Sequence, residues 1–268
     1  MIDYADIYTL HQKLVNTKPV VLNLTNSVTQ DFMANVLLAL GAAPIMSSSI
    51  DEVAELVSIS GAININIGTL DNQFINITKY AAKEANAKNK PVILDPVGAG
   101  ASQIRTDSAI ELSQYANIIH GNSSEIMALV RNDVVTHGVE SSRQSQDAIE
   151  SAKSLANKHK SILAISGETD YIIGIDRVSE SSFGTELMTK VTGMGCALGA
   201  VIAAFAAVER DYFLATNIAV AFYTLVAEDA RCRADKPAKF RTEFIDSLFA
   251  PDWDFINDRL ERLNNHVS

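Results

Sequence analysis

The stretch Ala62-Ile63-Asn64-Ile65-Asn66-Ile67-Gly68-Thr69 is followed by a helical pattern over residues 71–88. After it comes Pro91-Val92-Ile93-Leu94-Asp95-Pro96-Val97-Gly98-Ala99-Gly100. Two short β-rich runs, each closed by glycine or a carboxylate turn and separated by one helix length, make a parallel β–α–β unit with a buried sheet. The same alternation extends both ways. Upstream, residues 20–24 and 43–46 read as strands. A helix over 27–40 presents Val28, Phe32, Val36, Leu37 and Leu40 on one side, and a second helix covers 50–59. Ser27 and Gln30 have capping-box spacing at the first helix's start. Downstream, helices over 102–115, 123–130 and 145–159 alternate with strands over 117–120 and 162–165. The pattern then changes: 171–175 and 177–181 read as a hairpin, 186–191 as a further strand, and everything from Gly195 onward as helix. The expected architecture is α/β, with a mostly parallel central sheet flanked by helices, antiparallel edge strands and a helical C-terminal third. No linker or repeat divides it, so residues 1–268 are expected to form one domain.

The chain's 268 residues are 47% hydrophobic and 20% charged, the balance of a folded protein with a substantial core. Its net charge of −10 argues against a nucleic-acid partner, whose phosphates require a surplus of Lys and Arg. Two cysteines, Cys196 and Cys232, are too few for a disulfide framework and suit a reducing compartment. The first residues lack the pattern of a secretory signal. The apolar run 196–208 falls short of the roughly 20 residues a membrane helix needs. A cytoplasmic protein with no membrane partner is expected.

In open parallel sheets, ligands collect beyond the carboxyl ends of the strands. The polar or glycine-rich turns there are Asn26, Gly68-Thr69, Asp95 to Gly100, Gly121 to Glu125 and Ser166-Gly167. Each alone reads equally as an ordinary turn. Thr192-Gly193-Met194-Gly195-Cys196 is the sharpest feature, because its glycines and the free amides of a helix start suit an anion such as phosphate. Cys196 near that start is open to two readings, a thiolate favoured by the helix dipole or a small buried hydrophobe. Asp95 and Glu125 sit where carboxylates hold Mg²⁺ against phosphates, and equally where a turn cap and a first-turn helix charge belong. The P-loop, zinc and nucleophile-elbow motifs are absent.

In this order Asn26-x-Val28-Thr29, Ala39-Leu40-Gly41-Ala42-x-Pro44-x-Met46, Asn66-Ile67-Gly68-Thr69-Leu70, Leu94-Asp95-Pro96-Val97-Gly98-Ala99-Gly100-Ala101, Arg105-Thr106, Gly121-Asn122-x-x-Glu125-Ile126 and Val191-Thr192-Gly193-x-Gly195-Cys196 resemble hydroxyethylthiazole kinase, a ribokinase-like family of thiamine biosynthesis and salvage. The resemblance covers about residues 20–208. It implies ATP- and Mg²⁺-dependent phosphorylation of the primary hydroxyl of 4-methyl-5-(2-hydroxyethyl)thiazole by a homotrimer with sites between subunits. It places Gly193, Gly195 and Cys196 at an anion hole, with Cys196 beside the substrate hydroxyl as a base. Asp95 and Glu125 fall at the metal, supported by Asn122. His120, Asn122, Ser166 and Gly167 fall on the ATP side, and Asn26, Val28, Met46, Gly68 and Gly193 on the thiazole side. The chain departs from the family where His120 replaces a more usual Arg, which implies a weaker, pH-sensitive phosphate contact. It departs again where Met194 replaces Thr or Ser, and where Asp235 to Phe240 replace a glycine-richer segment. Related readings are a kinase for a hydroxymethylpyrimidine or a sugar, a non-catalytic nucleotide binder, and a redox thiol protein.

Overall fold

A computed structural model describes residues 2–130 and 141–266. Strands β1 (Val20–Leu24), β2 (Ala43–Met46), β3 (Ala62–Asn66), β4 (Val92–Asp95), β5 (Ile118–Asn122), β6 (Ile162–Ser166), β7 (Asp170–Ile173) and β8 (Val178–Ser181) form one sheet in the order β2-β1-β3-β4-β5-β6-β7-β8. The first six pair in parallel, and the last two close the sheet as an antiparallel hairpin. The expected α/β architecture is therefore present.

Helices cover both faces. On one lie α3 (Val53–Ile59), α4 (Asn72–Ala87), α5 (Gln103–Ser113), α6 (Ser123–Val130) and α7 (Ser141–His159). On the other lie α1 (Tyr4–Thr17), α2 (Gln30–Leu40), α8 (Met194–Val208), α9 (Tyr212–Arg233), α10 (Pro237–Phe249) and α11 (Trp253–His266). Strand pleating divides the core between them. In β3, Ile63 and Ile65 pack on the first face, whereas Asn64 and Asn66 fall on the face that α8 covers, both fully buried. Helix α8 is buried almost all round, as its unbroken apolar sequence requires. Among the described residues α9 is the one helix long and apolar enough to cross a membrane, and it lies largely buried inside the fold.

Two local expectations are corrected. Residues 186–191 form a 3₁₀ helix, Glu186–Lys190, instead of a strand. Thr185 Oγ1 caps it by accepting from the Leu187 amide, and Thr189 Oγ1 donates to the Glu186 carbonyl. Helix α2 starts at Gln30 without the Ser27–Gln30 capping box: the Ser27 amide donates to Thr69 Oγ1 instead, and Asn26 Oδ1 accepts from the Val28 and Thr29 amides.

Candidate active site

Parallel register brings the strand ends together: Asn66 lies across from Asp95, and Asn122 from Ser166. The turns singled out above therefore share one rim, and the start of α8 comes down onto it. Gly193 caps α8 at φ 96°, the left-handed region. A Cβ there would lie 3.0 Å from Phe32 Cδ1 and 3.1 Å from Thr29 Cγ2, so only glycine fits. Met194 is buried, and its carbonyl accepts a 2.8 Å hydrogen bond from the Tyr223 hydroxyl, which fixes the turn from beneath. Gly195 is different: a Cβ there would meet nothing within 4 Å, so the helix start has open space in front of it.

Cys196 is half-buried, and its Sγ accepts from Asn26 Nδ2 at 3.5 Å. Burial first, and then the nearby Asp95, push the thiol up, against the opposing hydrogen bonds of Asn66, Thr29 and Asn26. Of the two readings open for this cysteine, the setting favours the neutral thiol over the thiolate. The helix dipole is outweighed by loss of solvent and by a neighbouring carboxylate.

Asn26 is the pivot of the adjoining side. Its Oδ1 accepts from the Val28 and Thr29 amides and the Thr29 hydroxyl, each at 3.1 Å, and its Nδ2 donates to Asn66 Oδ1 at 2.8 Å. Gly68 closes on this pair so tightly that a Cβ would sit 2.9 Å from Asn26 Cβ. Arg105 locks the arrangement: Nη1 donates to the Ile67 and Val97 carbonyls at 3.1 and 2.9 Å, and Nη2 to the Gly68 carbonyl at 2.9 Å. Val28 is 68% exposed, and half-buried Met46 lies on the edge strand β2.

Asp95 is buried, and its Oδ2 accepts from Asn66 Nδ2 at 2.6 Å. Burial and then the charge of Glu125 hold its carboxyl well above the usual carboxylate range, against the Asn66 bond. Glu125 joins two turns: Oε1 accepts from the Gly98 amide and Oε2 from the Asn122 amide, each at 2.9 Å. Asn122 Oδ1 in turn accepts from the Glu125 amide at 3.0 Å, so the pair is a capping box at the start of α6. Helix capping is therefore part of what both residues do.

On the far side, His120 is buried against α8, near Gly199, with neither ring nitrogen hydrogen-bonded. Burial pushes the imidazole down to about 4, so the expected sensitivity near neutral pH is corrected: the ring is uncharged throughout that range. It lines a narrow gap, too small to admit a water molecule, together with Ser166 and Asp170. Gly167 donates its amide to Asp170 Oδ1 at 3.1 Å and borders an open cleft of about 200 Å³ with Ser123, Thr169 and Tyr171.

The structure thus brings Asn26, Gly68, Gly193, Gly195, Cys196 and Asp95 into one cluster, with Glu125 and Asn122 beside it. His120, Ser166 and Gly167 flank it. Sequence reasoning quoted Asn66, Thr29 and Arg105 within motifs without giving them a role in this cluster, and missed Tyr223 altogether. Asn66 had one signal, an amide in a strand too apolar to be solvated; Tyr223, inside an apolar helix, had none.

Comparison with known proteins identifies the family. The model of the hydroxyethylthiazole kinase family matches residues 11–252. Hydroxyethylthiazole kinase of Chlamydia caviae is 42% identical over 250 residues, covering 92% of this chain and 95% of that one. The enzyme of Leptospira biflexa is 41% identical over 251 residues, covering 92% and 94%. The structure of a hydroxyethylthiazole kinase protein from Pyrococcus horikoshii superposes with a TM-score of 0.86 at 32% identity, covering 93% and 95%. A ribokinase-like superfamily protein from Enterococcus faecalis shares the fold alone, with a TM-score of 0.65 at 15% identity. By the length and depth of these matches, the chain belongs to the hydroxyethylthiazole kinase family.

Proposed function

We propose that the rim beneath α8 transfers the γ-phosphoryl group of ATP to the primary hydroxyl of 4-methyl-5-(2-hydroxyethyl)thiazole, releasing ADP and the phosphate ester. One observation carries this reading: a helix start with open space before Gly195, set directly against the Asn26–Cys196 pair and Asp95. Phosphoryl transfer leaves a protein little covalent work, so catalysis rests on positioning and on amides aimed at developing charge. The amides at Gly193, Gly195 and Cys196 supply that charge stabilisation. Asn26, Gly68, Met46, Val28 and Gly193 hold the alcohol. Cys196 lies beside its hydroxyl, and a thiol held neutral orients that hydroxyl better than it deprotonates it.

Asp95 and Glu125 suit Mg²⁺. The charge of Glu125 raises the cost of ionising Asp95, and a dication held there would relieve it. No third His, Cys, Asp or Glu joins them among the described residues, which is the donor set of an ion completed by water and substrate phosphates. When bound, Mg²⁺ would neutralise phosphate charge. Asn122, Ser166 and Gly167 face the nucleotide side, and His120 supports it from below.

We propose further that the whole chain works as one kinase domain, in the cytoplasm, as a homotrimer with sites between subunits. Supporting the assembly, β2 is an open sheet edge, and Val28 and Ile50 are 68% and 44% exposed. Sedimentation equilibrium should give three times the chain mass. The function itself is tested by ADP release with ATP, Mg²⁺ and the hydroxyethylthiazole, beside hydroxymethylpyrimidine and ribose. Release with the thiazole alone, matched by its phosphate ester in mass spectrometry, is expected. Release with another alcohol would keep the fold and overturn the substrate.

A further inference from the structure

We propose that Asn66, at the end of β3, is a positioning residue whose one amide group ties the alcohol side of the site to the carboxylate side. Its orientation is set by chemistry. The Gly68 amide can only donate, and it reaches Asn66 Oδ1 at 3.0 Å, so Oδ1 must face it. The same holds one step back. Asn26 Oδ1 is occupied by the Val28 and Thr29 amides, so Asn26 Nδ2 is the atom left to donate to Asn66 Oδ1. That leaves Asn66 Nδ2 to donate to Asp95 Oδ2 at 2.6 Å. A run of hydrogen bonds all pointing one way thus leads from the start of α2, through two buried asparagines, to the buried carboxylate. Bonds arranged head to tail polarise one another. The two ends of Asn66 act differently: the oxygen holds Asn26 and Gly68, while the nitrogen holds Asp95, and the side chain also touches the Cys196 thiol.

The inference rests on the reading of which side takes the alcohol, and the experiment separates the two. Asn66→Ala removes both ends; Asn66→Asp keeps an acceptor for Asn26 and Gly68 but replaces the donor to Asp95. Affinity for the alcohol and for Mg²⁺·ADP is measured by calorimetry, and kcat by ADP release. Asn66→Ala should weaken alcohol binding about fivefold or more and lower kcat about 10- to 100-fold, the range for leaving buried hydrogen-bonding partners unsatisfied. Asn66→Asp should return alcohol affinity to within about twofold of wild type while kcat stays low. A purely structural role would make the two recover together. Asn64→Ala is the control. Asn64 lies two residues earlier on the same face, also buried, and donates to Asn23 Oδ1 and Met33 Sδ instead of to the site. It should lower the melting temperature and leave kcat within about twofold. Unchanged kcat in Asn66→Ala, or joint recovery in Asn66→Asp, overturns the proposal. Wild-type protein that binds Mg²⁺·ADP but not the alcohol overturns the substrate reading. Asn66 is then judged by Mg²⁺·ADP affinity, expected to weaken in Asn66→Ala, with no change refuting it.

Discussion

Gly195→Ala is expected to make the protein more stable and nearly inactive at once. Gly195 is the second residue of α8, and its φ is not among the positive values found at Gly193 and four other glycines. The new Cβ meets no protein atom within 4 Å, so the folded state pays nothing for it. Restricting the unfolded chain should then stabilise by about 0.4–1 kcal/mol. For a domain of this size that raises the melting temperature by roughly 1–4 °C. The methyl group, however, stands where the transferring phosphoryl group must approach the amides. A displacement of about 1 Å there costs on the order of 10²-fold in rate. Gly193→Ala is the matched opposite. At φ 96°, with contacts of 3.0 and 3.1 Å to Phe32 and Thr29, an alanine is strained by about 1–2 kcal/mol from the backbone alone. Thermal melts and the ADP-release assay on both variants decide the matter. Two glycines two residues apart should move stability in opposite directions and activity in the same one. A Gly195→Ala enzyme with kcat/KM near wild type would show that the open space is merely solvent, and would remove the anion-hole reading.

Three further perturbations test other links. Cys196→Ala should lower turnover substantially but leave measurable activity, since positioning and charge stabilisation survive it; wild-type turnover would end the Cys196 assignment. Arg105→Lys keeps the charge but loses the planar fork that spans the Ile67, Gly68 and Val97 carbonyls. It should cost about 1–3 kcal/mol in urea unfolding and raise the KM for the alcohol, and an unchanged KM would show that the Gly68 loop is held without it. His11 is buried against Phe222 and Trp253 with both ring nitrogens unpaired, and burial pushes it down to about 4. Its neutral form matches the unfolded state above about pH 6.5. As pH falls from there towards 4, the unfolded chain binds a proton that the folded chain refuses, and stability drops by at most about 3 kcal/mol. His120 adds a drop in the same window. Asp170, pushed up to about 6, works the other way, costing stability as pH rises through the range 4 to 6. His11→Phe should flatten the acid limb of a urea-midpoint profile, and an unchanged slope would refute the assignment.

The parts of this site that were legible before any coordinates are those in which backbone geometry demands a residue type. Gly193 must adopt a left-handed φ, Gly68 must leave room for Asn26, and Gly98 and Gly100 also take positive φ, so their glycines stand in the sequence as signals. Short β-rich runs spaced by helical patterns disclosed the parallel sheet, even though β3 carries Asn64 and Asn66 on its buried α8 face. The misread segment 186–191 fails on similar grounds: a five-residue run has too little periodicity to tell a 3₁₀ turn from a strand, and Thr185 decided it through one side-chain cap. What stayed hidden are contacts between side chains far apart in the chain. Tyr223 reaches Met194, Arg105 reaches Gly68, and Asn66 reaches Asp95, pairs separated by 29, 37 and 29 positions that no periodicity links. The thiol of Cys196 shows why this matters chemically. Its local setting at a helix start favours ionisation, and burial and the neighbouring Asp95 argue the opposite, against the hydrogen bonds of the buried asparagines. Reactivity there is set by neighbours brought in from three other strand ends, so a motif can say where chemistry occurs while only the assembled rim says which protonation state performs it.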